Sequence, residues 1–211
     1  MTSTSDFAVV ICHGNYYTLE PYMPLVEALK AEGIEAFCPQ HHTSDLTKLN
    51  VGGINNPNFD REPPKGGYPQ GEEETEVILD TLRHVVSRGK KVLLKHRVDG
   101  LSTIVEANKY LFNDIEASAA ERWAAALTAA PVSTTKLTNN AYAALHCAYL
   151  VLEGNLTLPK EYQEAMVAAQ SRKTGEFSVY RCSAGHSPHL SWTRGVVNTV
   201  QDFKKIEDQR G

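Results

Sequence analysis

The sequence lacks the features by which chains bind nucleic acid or cross a membrane. It has no long run of like charges, and its 21 Lys and Arg residues against 25 Asp and Glu residues give a net charge of −4. Such a chain is not expected to bind nucleic acid or anionic lipid. No apolar run approaches the roughly 18 residues of a membrane span, and the first residues do not resemble a signal peptide. We therefore expect a cytoplasmic protein without a membrane partner.

Cysteine is scarce, and its spacing indicates neither a disulfide framework nor a zinc site. The four cysteines form no CxxC pair, and each lies in or beside an apolar run: Cys12, Cys38, Cys147 and Cys182. Reduced thiols in such places serve as small apolar side chains. His41 and His42 with Asp45 are a poor chelate, because adjacent residues on an extended chain point to opposite sides. We therefore predict no metal and no cofactor.

What the sequence does contain is an alternation of short apolar runs with helical patterns. The runs cover residues 7–12, 34–38, 91–94, 147–152 and 177–182. Continuous apolar runs of this length are typical of strands buried in a parallel sheet. The alternation predicts an α/β fold, a three-layer α/β/α sandwich around a mostly parallel sheet. No stretch resembles an interdomain linker, so we interpret residues 1–211 as a single domain.

Helix signals fall between the predicted strands. The first predicted helix begins after Thr18 and ends at Gly33, and the second spans residues 72–87. The third runs from a capping box of Ser118 and Glu121 to Pro131. The fourth begins at Pro159, and the last begins at an N-cap on Ser191. Residues 40–71 are rich in Pro, Gly and Asn without periodicity, which predicts a long loop.

Polar segments follow three of the strands, and they are the candidate site. They are residues 13–17 (HGNYY), 153–155 (EGN) and 183–190 (SAGHSPHL). Ligands bind at the carboxyl ends of the strands in open parallel sheets. In the first segment, Gly14 permits a turn in which backbone N–H groups face a developing oxyanion.

Three motifs occur in a recognisable order: residues 9–14 (VVICHG), 149–155 (YLVLEGN) and 185–191 (GHSPHLS). This order resembles the α/β-hydrolase fold superfamily, specifically its small esterases, methylketone synthases and hydroxynitrile lyases and their fungal relatives. The resemblance implies a small-molecule carbonyl substrate, with residues 101–145 as a small helical lid. The residues that it implies for the site are catalytic His186 and Asn155 and substrate-binding Gly14, Asn15 and Tyr16.

The sequence departs from that superfamily at the nucleophile. α/β-Hydrolases carry Gly-x-Ser-x-Gly after the third strand. Here Leu94 runs into KHRVDG, which places Arg97 at the serine position with no helical pattern following. We interpret this as a shortened fold that lacks the nucleophile turn, its helix and the next strand, about 30 residues as one repeat. Ser102 lacks the second glycine of the motif, and Cys12 lies inside a predicted strand, so neither is a good replacement.

The triad acid is also replaced, because Asn155 stands where an Asp is usual. An amide orients a histidine but does not stabilise its charged form, and in a serine protease this exchange lowers turnover by about 10⁴. Glu153 is an alternative acid. Serine-type hydrolysis is therefore expected to be weak or absent.

Structural roles compete with these functional ones. His186 either moves protons or caps the last helix, and His13 is more typical of a residue that hydrogen-bonds the first turn. Tyr16, Tyr17 and Tyr110 either line a pocket or close the edge of the core.

Three hypotheses stay open. The first is a hydrolase-like enzyme acting on a small ester, lactone or polyketide-type compound. The second is a non-hydrolytic lyase, dehydratase or cyclase, for which a general base and an oxyanion site suffice. The third is a non-catalytic or truncated remnant that binds a ligand or partner. A homodimer is compatible with each, because a missing interior strand leaves a gap that a second chain can fill.

Overall fold

The structure is a computed structural model of the 211-residue chain. It describes residues 7–70, 77–78, 80–81, 84, 91–93, 101–102, 104, 106–131, 141–175 and 177–210. The chain divides into two compact units: the first comprises residues 1–105 and 125–135, and the second residues 106–124 and 136–211. The single-domain interpretation of residues 1–211 stays a prediction.

The first unit is built on short strands. In chain order they are β1 (Phe7–Val10), β2 (Glu35–Phe37), β3 (Gly52–Gly53), β4 (Asn56–Pro57), β5 (Lys91–Leu93), β6 (Leu101–Ser102) and β7 (Ala130–Pro131). Strand β1 lies between β2 and β5 and pairs with both in parallel. All of β1 is buried, as the continuous apolar run predicts. The pairs β3 with β4 and β6 with β7 are antiparallel.

Helix α1 (Met23–Ala31) packs against β2 and buries one apolar stripe. Its buried side chains are Leu25, Val26 and Leu29, and burial of each contributes about 2 kcal/mol. The helix ends as the sequence predicts, because Gly33 adopts a left-handed φ of 74° and its N–H donates to the Lys30 carbonyl at 2.9 Å. The following segment contains short 3-10 turns at His42–Ser44 and Leu46–Lys48.

The helix predicted over residues 72–87 lies largely outside the described residues. Residues 77–78, 80–81 and 84 are helical. The 94–100 junction, with Arg97, also lies outside the described residues, so the shortened connection from β5 stays a prediction.

The second unit contains a parallel strand pair joined by a helix. Strands β8 (Ala148–Leu152) and β9 (Ser178–Cys182) pair from Ala148 opposite Ser178 to Leu152 opposite Cys182. The connecting helix spans Lys160–Thr174 and begins directly after Pro159, which confirms the predicted start. Strand, helix and parallel strand make one βαβ unit.

Among the described residues, four other helices belong wholly or mainly to the second unit. In chain order α2 is Ala107–Tyr110, α3 is Ala117–Ala125, α4 is the Lys160–Thr174 helix already described, α5 is Pro188–Ser191 and α6 is Thr193–Arg210. Helices α2 and α3 lie within the segment predicted as a lid, and that role stays a prediction.

The predicted start and end of α3 and the predicted start of the last helix are wrong. The Glu116 carboxylate, rather than Ser118, caps α3 by accepting the N–H groups of Ser118 and Ala119 at 3.1 and 3.2 Å, and α3 ends at Ala125, before Pro131. Ser191 does not cap the last helix but ends the short α5, because Trp192 has a non-helical φ of −136° before α6 starts. Local capping patterns mark a helix start without fixing which oxygen does the capping.

Parallel strands joined by helices establish the predicted α/β class. Among the residues that the structure describes, no helix combines the length and apolarity needed to cross a bilayer.

Candidate functional site

The turn after β8 buries Asn155 and fixes its side chain. The residue is 6% exposed, and its Oδ1 accepts the N–H groups of Thr157 at 2.9 Å and Leu158 at 3.0 Å. Two N–H donors on one side-chain atom identify that atom as the carbonyl oxygen. The sequence favours this turn because Asn readily bonds the backbone two residues ahead.

His186 follows β9 and contacts the same oxygen. Its Nδ1 lies 3.2 Å from Asn155 Oδ1. An amide oxygen only accepts hydrogen bonds, so the Nδ1 atom carries the proton, and the lone pair of the neutral imidazole is on Nε2. This is the tautomer that a general base requires. The two residues predicted as catalytic are thus brought together, 31 positions apart in the chain.

The loop that carries His186 is tied to the segment before α3. The Gly185 N–H and the Ser191 hydroxyl both donate to the Asp114 carboxylate, the hydroxyl at 2.6 Å. Asn113 directly precedes Asp114, and its Nδ2 donates to the Gly154 carbonyl at 3.0 Å. The Gly154 N–H in turn donates to the Ala184 carbonyl at 3.1 Å.

Gly154 and Gly185 let these two loops approach closely. A Cβ on Gly154 would lie 2.5 Å from the Ser183 carbonyl oxygen, and one on Gly185 would lie 2.5 Å from an Asp114 carboxylate oxygen. The contact excludes a side chain at position 154, because the obstructing atoms are backbone, whereas a side chain at position 185 would require the Asp114 and Asn113 side chains to move.

Sequence reasoning missed Asn113 and Asp114 as determinants of this site. They lie in a segment assigned only to the lid, and their partners are 41 and 71 positions away. The sequence signal that could have identified them is a polar pair directly after two apolar residues, Leu111 and Phe112, which are both buried in the structure.

The turn after β1, in the first unit, differs in one respect from the prediction. The Gly14 N–H donates to Tyr22 Oη at 3.1 Å, so this donor is already used within the turn. The Tyr17 N–H donates to the Gly14 carbonyl at 3.3 Å, and Tyr16 has a left-handed φ of 72°. The predicted oxyanion role of residues 14–16 stays a prediction.

His13 has the structural role that the sequence favoured. Its Nδ1 lies 3.1 Å from the Gly14 carbonyl, its Nε2 accepts the His41 N–H at 3.0 Å, and its ring stacks on that of His41. Burial lowers the pKa of His13 to about 4, so the ring is neutral near pH 7. Burial also raises the pKa of Tyr22, which keeps its hydroxyl protonated.

Other candidate residues are placed as follows. Glu153, the alternative acid, lies 3.9 Å from Arg181 on the surface. The residue that contacts His186 Nδ1 is Asn155. Cys12 is buried and Ser187 is fully buried before α5. The side chain of Ser102 lies outside the described residues. No group of three or more potential metal ligands is found among the residues that the structure describes.

Comparison with known proteins identifies the fold. No family model matches the sequence, and no curated protein matches it. Polyneuridine aldehyde esterase is 13% identical, with 95% of this chain and 100% of that chain covered at a TM-score of 0.63. A methylesterase from Arabidopsis is 10% identical, with 95% and 99% covered at 0.64. A pyrethroid hydrolase from Sphingobium faniae JZ-2 is 14% identical, with 93% and 96% covered at 0.55.

These similarities show that the chain has the α/β-hydrolase fold. At this level of identity they establish the fold and leave the reaction open, because one fold carries many chemistries.

Proposed function

We propose that the protein is an enzyme of the α/β-hydrolase type that acts on a small carbonyl compound, with His186 as its acid and base. The substrate class is an ester, a lactone or a polyketide-type carbonyl compound. The observation that carries the proposal is the contact between His186 Nδ1 and Asn155 Oδ1 at 3.2 Å, which sets the tautomer in which Nε2 accepts a proton.

The supports of this pair favour a rigid catalytic element. Asn155 Oδ1 is held by two backbone N–H groups, and the residue before His186 is held by the Asp114 carboxylate. A base whose orientation is fixed before substrate arrives loses little entropy in the reaction. The amides of Asn15 and Tyr16 are proposed as oxyanion donors from the order of the sequence motifs.

A non-hydrolytic reaction is the second candidate. It is favoured by the sequence from Leu94 to Gly100, which has no Gly-x-Ser-x-Gly, and by an amide in place of the triad acid. Retro-aldol cleavage, dehydration and cyclisation need a base and an oxyanion site but no covalent intermediate.

The test measures turnover of p-nitrophenyl esters and of β-hydroxycarbonyl compounds by the wild-type chain and by His186→Ala. A loss of about 100-fold is expected for the substrate class that is used. His42→Ala is the matched control, since His42 lies in a 3-10 turn of the first unit and is not one of the proposed site residues. Equal turnover by His186→Ala and the wild type would contradict the proposal.

A further inference from the structure

Three chemically complementary side chains lie in a row in the second unit, at the opposite end of β8 and β9 from His186. His146 Nδ1 contacts a carboxylate oxygen of Glu207, and Ser178 Oγ lies 3.3 Å from His146 Nε2. The carboxylate only accepts hydrogen bonds, so His146 Nδ1 carries a proton and donates to it, and the lone pair on Nε2 then accepts from the serine hydroxyl. This is the order of contacts by which a base activates a serine.

The fold brings the three together by register and helix spacing. Ser178 is the first residue of β9, and its N–H donates to the Cys147 carbonyl at 2.9 Å, which places it beside the chain entering β8. Phe203 and Glu207 are four residues apart on α6, so they share one face. The Phe203 ring packs on the His146 ring at 5.2 Å between centroids, and the carboxylate fixes the orientation of that ring.

His146 also lines a cleft of about 420 Å³. The other lining residues include the apolar side chains of Tyr142, Leu145 and Phe177, the last being the neighbour of Ser178, together with the polar Thr174 and Arg210. His146 is 13% exposed and Glu207 35%, so the pair is shielded but not sealed. Burial, with the Glu207 carboxylate adding to it, raises the pKa of Cys147, which keeps that thiol protonated.

We propose that Ser178, His146 and Glu207 form a second site, which carries a nucleophile and takes small esters with an apolar acyl or aryl group. Ser178 Oγ bonds to the acyl carbon while its proton passes to His146 Nε2. The ester C–O bond breaks, and the alcohol leaves with that proton. Water then attacks the acyl-serine and gives a proton to Nε2, which returns it to Ser178 as the acid leaves. Glu207 is a positioning residue that acts through His146.

The first experiment treats the full chain with a fluorophosphonate probe and locates the product by peptide mass spectrometry. The expected adduct has an Oγ to phosphorus bond on Ser178, with fluoride and the serine proton leaving. Ser178→Ala should lose it, and His146→Gln should slow it about 100-fold. Ser171→Ala, a half-buried serine of α4, is the matched control. A folded wild-type chain with no adduct on Ser178, or His146→Gln labelling at the wild-type rate, overturns the proposal.

Further variants separate chemistry from structure. Glu207→Gln should slow labelling, and Glu207→Asp should restore part of the rate. If the carboxylate were purely structural, the two variants would change the melting temperature but would not differ in labelling rate. If Ser178→Ala does not fold, Ser178→Cys keeps a nucleophile of similar size. Iodoacetamide should then alkylate position 178 faster than Cys147, and the reverse order overturns the proposal.

Turnover of p-nitrophenyl acetate distinguishes this site from the one at His186. If Ser178→Ala lowers turnover and His186→Ala does not, the second site stands and the proposed function fails for this ester. If only His186→Ala lowers turnover and no adduct forms on Ser178, the second site is refuted and the proposed function stands.

Discussion

Asp114 accepts the backbone N–H of Gly185, the residue directly before His186. The same carboxylate accepts the Ser191 hydroxyl at 2.6 Å, so one side chain holds the histidine loop at two points that flank the start of α5. The orientation of His186 therefore depends on Asp114, which precedes Gly185 by 71 positions in the chain. Charge-assisted bonds of this kind are stronger than those between neutral groups.

Removing that carboxylate should loosen the histidine loop without unfolding the protein. Asp114→Ala is expected to lower the free energy of unfolding by about 1 to 2 kcal/mol, because Asp114 is exposed and water partly replaces its bonds. Urea unfolding gives the stability, and the Gly185 amide resonance reports the lost bond by NMR. Asp60→Ala, at an exposed aspartate of the first unit, should leave both unchanged. An unaltered Gly185 resonance in Asp114→Ala would contradict the assigned contact.

Gly154 should tolerate no side chain. In Gly154→Ala the new Cβ would lie 2.5 Å from the Ser183 carbonyl oxygen, and relieving that contact requires the backbone after β9 to move. We expect a loss of about 2 to 3 kcal/mol in the free energy of unfolding, together with a displaced His186. Gly53→Ala is the matched control, since nothing lies within 4 Å of its Cβ position, and it should change stability by less than about 0.5 kcal/mol. Equal stabilities of the two variants would count against the close approach of the two loops.

Asn155→Asp tests whether His186 works as a base. A carboxylate at this position would keep the three contacts now made by Oδ1 and would in addition stabilise an imidazolium. If charge stabilisation limits the proposed reaction, turnover should rise, by up to about 10⁴-fold. Steady-state kinetics on the substrate of the wild type measures the gain, and Asn155→Leu should abolish turnover. An Asn155→Asp variant no faster than the wild type, together with a folded Asn155→Leu variant that keeps wild-type turnover, would argue against proton transfer at His186.

Strand positions were predictable from sequence, whereas the polar contacts that build the site were not. The apolar runs located β1, β2, β8 and β9 because burial on both faces imposes a continuous pattern. The partners Asn155 and His186 were also anticipated, since each follows a strand and parallel strands bring their carboxyl ends to one edge.

Tyr22, Asp114 and Gln163 carry no such pattern. Each lies in a helix or loop, and its partner is set by how distant segments pack: Gly14 for Tyr22, Gly185 for Asp114 and Leu152 for Gln163. Local sequence specifies the conformation of a segment but not which distant amide a side chain will meet.

Gln163 is expected to be the most costly polar side chain of α4 to remove. It is 1% exposed; its Oε1 accepts the Leu152 N–H at 2.9 Å, and its Nε2 donates to the carbonyls of Leu152 at 2.9 Å and Leu158 at 2.7 Å. Gln163→Leu strips these buried backbone groups of their partner and should cost about 3 kcal/mol of stability. Gln170→Ala, at a half-buried position of the same helix, should cost less than about 1 kcal/mol. Calorimetric or urea unfolding of the two variants decides the comparison.

The buried His13 should make the stability of the protein depend on pH. Burial lowers the pKa of His13 from 6.5 to about 4, so between these values the unfolded chain binds a proton that the folded chain does not. Stability from this group is therefore complete above about pH 6.5 and is lost as the pH falls toward 4, by about 3 kcal/mol in all. Urea unfolding of the wild type at a series of pH values measures the slope.

The contribution of His13 can be isolated from the other titrating groups by substitution and by direct titration. His13→Gln can still bond the turn but does not titrate, so its stability should fall less steeply than that of the wild type between pH 6.5 and 4. In the wild type, the ring resonances of His13 should not shift between pH 8 and pH 5.5, because the neutral ring is bonded to the Gly14 carbonyl and the His41 N–H. A His13 resonance that shifts within this pH range would show that the ring is accessible to protons in the folded state, and the buried, neutral assignment of His13 would then be wrong.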